Sequence, residues 1–279
     1  MLSWNIHANC GIHTARLDRV ITAIAAFDAD IVLLQEVYVH GGVHERLRSE
    51  LAPAGWYFSG NDTSDNKYGN VIASRYPVRA RHFETSPEAP WRQLLACATV
   101  DLPTGAIEVI SAHMPNGAKH GWKKIETFEA LASILEQVAA QPWIVGGDFN
   151  EPMTVLPDNR VVSFGADEDG EVVGTWRGQP NARWQAAVET ILGPTETSVH
   201  AWLSRNAGVT AATHMVGRQD RFFDHLLAST HFEIGDAGFE HAWREGSSAM
   251  SDHSAAWMSV TLRSLKDAER VANPAVTKE

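Results

Sequence analysis

The sequence has little cysteine, no excess of basic residues and no long apolar run. Cys10 and Cys97 are the two cysteines among 279 residues, with no C-x-x-C pair and no Cys–His cluster. That excludes a disulfide-built scaffold and a thiolate metal centre, and both thiols are expected to be reduced and buried. Lys plus Arg total 23 against 34 for Asp plus Glu, a net charge of −11. A uniformly basic, polyanion-binding surface is excluded, although a local basic loop or a bound divalent cation would still supply a positive field. No apolar stretch is long enough to span a bilayer. The opening MLSWNIHANC lacks the basic and apolar regions of a secretory signal, so a cytoplasmic location is the default expectation. There is no short-period repeat and no low-complexity linker.

What is present is an ordinary globular composition, 44% hydrophobic and 20% charged. The length suits one large domain, expected over residues 1–263, with a polar tail at 264–279. Short apolar runs read as strands: LSWNI, IVLLQE, NVIASRYPV, LLACATVDL, AIEVISAH, FFDHLLAST and SAAWMSVTL. IVLLQE is apolar without alternation, the pattern of a strand covered on both faces. Leu17, Val20, Ile21 and Ile24 recur at helical spacing, as do Ile125, Phe128, Leu131, Leu135 and Val138. Further helices are expected at VHERLRSELAPAG, ARWQAAVETILG and SVHAWLSRNAG. Strands outnumber helices and alternate with them, which points to an α/β sandwich.

The strands end in polar residues. Asn5, Glu36 and His113 close three of them, and the octet VGGDFNEP delivers Asp148 and Asn150 after a buried run. Asp224 lies in RFFDHLL, and Asp252 and His253 in SDHSAAW. Taken alone, the octet reads as a turn. Taken together, carboxylates and amides at strand ends suit a hard divalent cation such as Mg²⁺, and histidines beside them suit charge stabilisation and proton transfer.

With these motifs in order (WNI, LLQE, GDFN, SDH), the chain resembles the endonuclease/exonuclease/phosphatase superfamily of Mg²⁺-dependent phosphoesterases, from Trp4 to about Leu262. The resemblance implies a four-layer α/β sandwich of two stacked mixed β-sheets flanked by helices, with the site across the top edges of both sheets. It implies Asn5, Glu36 and Asp252 around Mg²⁺, with Mn²⁺ as a substitute. It implies His113, Asp148, Asn150, Asp224 and His253 as the catalytic set. In that set Asp148 and Asn150 handle the attacking water, His253 contacts the phosphate, and Asp224 fixes the tautomer of His253. Asp220 competes with Asp224, and the apolar HLLAS that follows favours Asp224. Whether Asp148 or His253 is the formal base, and whether one metal or two bind, stays open at this point. The two glycines of the octet are expected to give a phosphate access to Asp148 and Asn150.

The implied activity is phosphodiester hydrolysis, with DNA as the expected substrate. HMPNGAKHGWKKIETFEAL resembles the segment in which apurinic endonucleases place an Asn and a cation before a helix, so Asn116, Lys119 and Trp122 are expected to touch substrate, with Lys123 and Lys124 adding charge. Inositol-phosphate phosphatases and sphingomyelinases of the same superfamily are the alternative, and a non-catalytic binding module is a third class. Glu151-Pro152 replaces the Arg that inositol phosphatases place after their GDxN motif, and no amphipathic membrane-binding stretch is present. No membrane and no protein partner is expected. His7, Asn70, Trp176-Arg177 and Arg183-Trp184 are weaker candidates for contact with the pocket or with nucleic acid.

Overall fold

The computed structural model describes residues 1–7, 15–38, 42–60, 68–167, 171–172, 174–176, 179–193, 198–201, 214–216 and 219–263. Cys10 and the tail at 264–279 lie outside them. Twelve strands build two six-stranded sheets. The first runs in the order β11-β12-β1-β2-β4-β3. Its members are β1 (Leu2–Asn5), β2 (Ile31–Tyr38), β3 (Tyr57–Gly60), β4 (Tyr68–Ser74), β11 (Phe232–Glu240) and β12 (Ala255–Leu262). The second runs β9-β10-β8-β7-β6-β5, from β5 (Val78–Arg81), β6 (Leu95–Leu102), β7 (Gly105–His113), β8 (Trp143–Asp148), β9 (Ser198–Ala201) and β10 (Asp224–Ser229). Each sheet is mixed: β1 runs parallel to β2, and β7 parallel to β8, within otherwise antiparallel neighbours.

The period-two alternation of a strand explains the layering. In β2, Val32 and Leu34 face outward onto α1 (Ala15–Phe27) and α2 (Val43–Leu51), while Ile31 and Leu33 face the second sheet. In β8, Trp143 and Val145 pack under α3 (Gly117–Gln137) and α4 (Asn181–Leu192), and Ile144 joins the layer between the sheets. The order is therefore helices, sheet, sheet, helices. No helix among the described residues is long and apolar enough to cross a membrane.

Three local expectations change. NVIASRYPV is not one strand: β4 ends at Ser74 and β5 begins at Val78, so the chain passes from one sheet to the other across Arg75–Pro77. Residues 198–201 form β9, paired antiparallel to β10, where a helix was expected. Edge pairing to an apolar strand overrides weak local helix preference there; the remainder of that segment lies outside the described residues.

The third concerns the glycines before Asp148. A Cβ on Gly147 would fall inside the Ala112 carbonyl of the paired strand. One on Gly146 would press Leu226 Cδ2 at 2.5 Å and Leu33 Cδ1 at 3.0 Å. Both glycines are there so that β8 packs closely against β7, β10 and the opposite sheet, and not to admit a phosphate. Gly147→Ala should therefore destabilise the protein by roughly 3 kcal/mol through overpacking against backbone. Thermal unfolding measures this, and an unchanged midpoint contradicts it.

Candidate active site

Asn5 ends β1 at the top of the first sheet and is fully buried. Its Nδ2 donates to Glu36 Oε1 at 3.2 Å, on the neighbouring strand, and to Asp148 Oδ2 at 3.0 Å, on the second sheet. Its Oδ1 accepts the His7 backbone N–H at 2.9 Å. Glu36 sits where the β2–β4 register shifts, with φ of 53°. A bulge with a left-handed residue re-aims a side chain, and here it turns a carboxylate toward Asn5.

Asp148 is 2% exposed, at the end of β8. Its Oδ1 accepts the Asn150 backbone N–H at 2.8 Å, which fixes the carboxylate plane. Its Oδ2 faces Asn5, His113 Nε2 at 3.6 Å and His253 Nε2 at 3.7 Å. Burial works to raise the pKa of Asp148, but the His253 and His113 rings and the bonds from Asn150 and Asn5 outweigh it and hold the carboxyl below its usual range. Asn150 has φ of 51° and donates its Nδ2 to Met114 O at 2.9 Å, so it also ties this turn to the residue after His113.

Antiparallel pairing sets Asp224 of β10 directly opposite Asp148. The resulting repulsion is relieved by His253, whose Nδ1 donates to Asp224 at 2.9 and 3.1 Å. Burial opposes a charge on His253, but Asp224 first and Asp148 next overcome it and raise its pKa to about 10. His253 is placed by Ser251, whose Oγ accepts the His253 N–H at 3.1 Å and donates to Asn5 O at 2.6 Å, and by Trp4, whose Nε1 donates to His253 O at 3.1 Å. His113 ends β7 beside Asp148, with Nε2 3.8 Å from Glu36 Oε1; its buried Nδ1 has no hydrogen-bond partner.

The structure thus brings Asn5, Glu36, His113, Asp148, Asn150, Asp224 and His253 together. Asp252 stands at the margin of this group: it is half exposed, its Oδ1 pairs with His7 Nδ1 at 3.2 Å, and its charge acts on His253. Among the described residues, Asp148, Asp224 and His253 offer ligand atoms within 4.8 Å of one another. Both Asp224 oxygens already accept from His253, so that group is a hydrogen-bonded line and not an open cage. Glu36 is the better metal position. Its carboxylate is 23% exposed and is oriented by the Asn5 amide that also donates to Asp148, and carboxylate oxygens suit a hard divalent cation.

The segment after His113 divides. Asn116, Lys119 and Trp122 are exposed, Trp122 by 44%. Lys123 lies over the Trp91 ring at 4.2 Å and the Trp122 ring at 5.4 Å. Lys124 is not a surface cation. It is 1% exposed, its Nζ meets Glu151 Oε1 at 2.8 Å, and it donates to Asn150 O at 2.7 Å. Glu151 also accepts from Trp184 Nε1 at 2.8 Å and from Phe164 N at 3.3 Å. Burial acts to lower the pKa of Lys124 and to raise that of Glu151. The helical period explains the difference, since Lys124 precedes the apolar face of α3 by one residue and turns inward.

Asn70 is a buried brace, donating to Leu94 O and Ser111 O at 2.8 Å each. Trp184 is 2% exposed, and Arg183 pairs with Glu129. The side chain of Trp176 and all of Arg177 lie outside the described residues. Two neighbours of the site carried little sequence signal: His7 lies in no motif beyond WNI, and Trp91 reaches Lys123 only through folding.

A sequence model of the Endonuclease/Exonuclease/phosphatase family matches residues 2–253. The chain belongs to this family. Its members are phosphoester hydrolases, and the chain is read as one. No curated protein matches the sequence. Among solved structures it is similar to an endonuclease/exonuclease/phosphatase from Beutenbergia cavernae DSM 12333, with 22% identity over 94% of this chain and 70% of the other, and a TM-score of 0.63. An AP endonuclease from Archaeoglobus fulgidus is 20% identical, covering 94% and 98%, with a TM-score of 0.67. D. rerio TDP2 complexed with single strand DNA product is 14% identical, covering 93% and 97%, with a TM-score of 0.65. At these identities the likeness is one of fold.

The Lys124–Glu151 pair yields a test. Lys124→Met leaves a carboxylate buried and unpaired, which should cost about 3–5 kcal/mol. The double substitution with Glu151→Gln should recover part of that loss. Urea unfolding of the three variants measures it; a Lys124→Met protein as stable as wild type contradicts the pairing.

Proposed function

We propose that the protein is a Mg²⁺-dependent phosphodiesterase that hydrolyses DNA. The observation that carries the reading is the convergence of Asn5 and His253 from one sheet on Asp148 of the other, with Glu36 open to solvent beside them. Glu36 would hold the cation, with Asn5 Nδ2 orienting its carboxylate; a bound cation would neutralise phosphate charge and acidify water.

The chain's own residues supply the rest. Asp148, kept ionised and held by the Asn150 N–H, orients a water and accepts its proton. Water adds to phosphorus, the ester P–O bond breaks, and the departing oxygen leaves as an alcohol once protonated. His253, charged and fixed through Asp224, presents Nε2–H to the non-bridging oxygens as negative charge gathers there. His113 adds a second ring on the same side.

DNA as substrate is supported by exposed Lys119 and Trp122 and by the Lys123–Trp91 pair on the His113 side of the site, since cations interleaved with aromatic rings suit phosphates and bases. The DNA complex of D. rerio TDP2 and the AP endonuclease share the fold. A specific observation favours a second reading, hydrolysis of a smaller phosphoester. Lys124 is withdrawn into the core, so the basic ridge is narrower than the sequence promises. Assay against duplex, single-stranded and abasic DNA, RNA, inositol phosphates and sphingomyelin decides between them; turnover of the small esters alone overturns the DNA reading.

Activity should require Mg²⁺ or Mn²⁺ and vanish in EDTA, and Glu36→Gln should shift the metal titration to higher concentration. Full turnover in excess chelator contradicts this. Asp148→Asn and His253→Ala should each lower kcat by roughly 10² or more. Because both act on one transition state, the double variant should lose far less than the product of the two. Additive losses in steady-state kinetics would show two independent roles.

A further inference from the structure

We propose that a basic cavity beside the reaction centre is a second phosphate site, which takes a non-reacting phosphate of the substrate. The inference rests on the phosphodiesterase reading above. The cavity has a volume of about 320 Å³ and is lined by His7, Arg16, Arg244, Ala249, Ser251 and Asp252. It shares a wall with the reaction centre, because Ser251 holds both Asn5 O and the His253 N–H.

Arginine in this acidic chain is mostly neutralised. Arg46, Arg75, Arg79, Arg92, Arg160 and Arg183 each hold an Asp or Glu. Among the described residues Arg16, Arg19, Arg48, Arg244 and Arg263 have no such partner, and of these Arg16 and Arg244 line the same cavity. Arg16 spends Nε on Met250 O and Nη2 on Ile6 O at 2.8 Å and His7 O at 3.2 Å. Carbonyl dipoles fix that guanidinium in place without cancelling its charge. The Nε of Arg244 is buried and has no hydrogen-bond partner. The one carboxylate of the cavity, Asp252, is engaged by His7 at 3.2 Å.

Two guanidiniums lining one cavity, neither paired with a carboxylate, are suited to a tetrahedral oxyanion. The adjacent reaction centre handles one phosphate already, so a substrate carrying a second phosphate next to the scissile one would engage both positions. A substrate with a single phosphate would leave the cavity unused. The same chemistry would accept free inorganic phosphate, and the two sources are separable.

Arg16 braces the loop after β1, so Arg244 is the residue to change. The Mg²⁺-loaded wild type, Arg244→Gln and Arg244→Lys are compared on the thymidine dinucleotide TpT and on pTpT and TpTp, which add a terminal phosphate on either side. The wild type should prefer one of the two-phosphate substrates over TpT, chiefly through KM. Arg244→Gln should cut that preference about tenfold, and Arg244→Lys should restore part of it. No preference in the wild type, or a preference that survives Arg244→Gln, overturns the proposal.

In a second arm, inorganic phosphate is titrated calorimetrically into the same Mg²⁺-loaded proteins. Arg244→Gln should bind one phosphate fewer than wild type, and an equal stoichiometry overturns the site. If the wild type cleaves none of the three dinucleotides, the calorimetry alone decides for or against the site, and the DNA reading is decided by the duplex, single-stranded and abasic DNA assays above. Matching thermal midpoints of Arg244→Lys and wild type separate a binding loss from a folding loss.

Discussion

One side-chain amide joins the two halves of the site. Asn5 Nδ2 donates to Glu36 on its own sheet and to Asp148 on the other, 3.2 and 3.0 Å away. Two carboxylates at the tops of separate sheets would repel, and the apolar packing between the sheets is not directional; buried bonds such as Asn70 Nδ2 to Ser111 O and Gln35 Nε2 to Ser111 Oγ add direction lower down. A buried amide with both donors committed supplies direction, since any slide strands a buried polar group. His253 does the same from the next strand, standing between Asp148 and Asp224. The site is therefore a consequence of how the sheets are stacked.

The backbone bears the cost of aiming these groups. His7, Glu36 and Asn150 all have positive φ, at 54°, 53° and 51°. Each stands where a strand has just ended or bulged, and each carries or positions a polar group of the site. Left-handed conformations in non-glycine residues cost of order 1–3 kcal/mol each and persist where surrounding bonds over-determine them. The His7 N–H to Asn5 bond, the Asn150 N–H to Asp148 bond and the Glu36 bond to Asn5 are those bonds.

Much of this was legible in the sequence because strand ends and site coincide. IVLLQE announces a strand covered on both faces and ends on Glu36; AIEVISAH ends on His113; both readings required only periodicity and a terminal polar residue. The choice of Asp224 over Asp220 followed from the apolar run after it, and Asp224 is the acid that meets His253. What sequence could not carry was direction within a turn. Lys123 and Lys124 are adjacent and chemically alike, yet one lies over Trp91 and the other is in the core against Glu151. Gly146 and Gly147 looked like room for a ligand and proved to be room for Leu226, Leu33 and the Ala112 carbonyl. Each of these depends on which long-range neighbour arrives, and composition and spacing are silent on that.

On the proposed reading the cation belongs on the Glu36 carboxylate, while Asp148 and the Asp224–His253 pair handle water and charge. Anomalous diffraction from crystals soaked in Mn²⁺ tests it most directly. The account predicts a manganese peak on the Glu36 carboxylate, with Asp224 still hydrogen-bonded to His253. A peak enclosed by Asp148, Asp224 and His253, with that hydrogen bond broken, would contradict it.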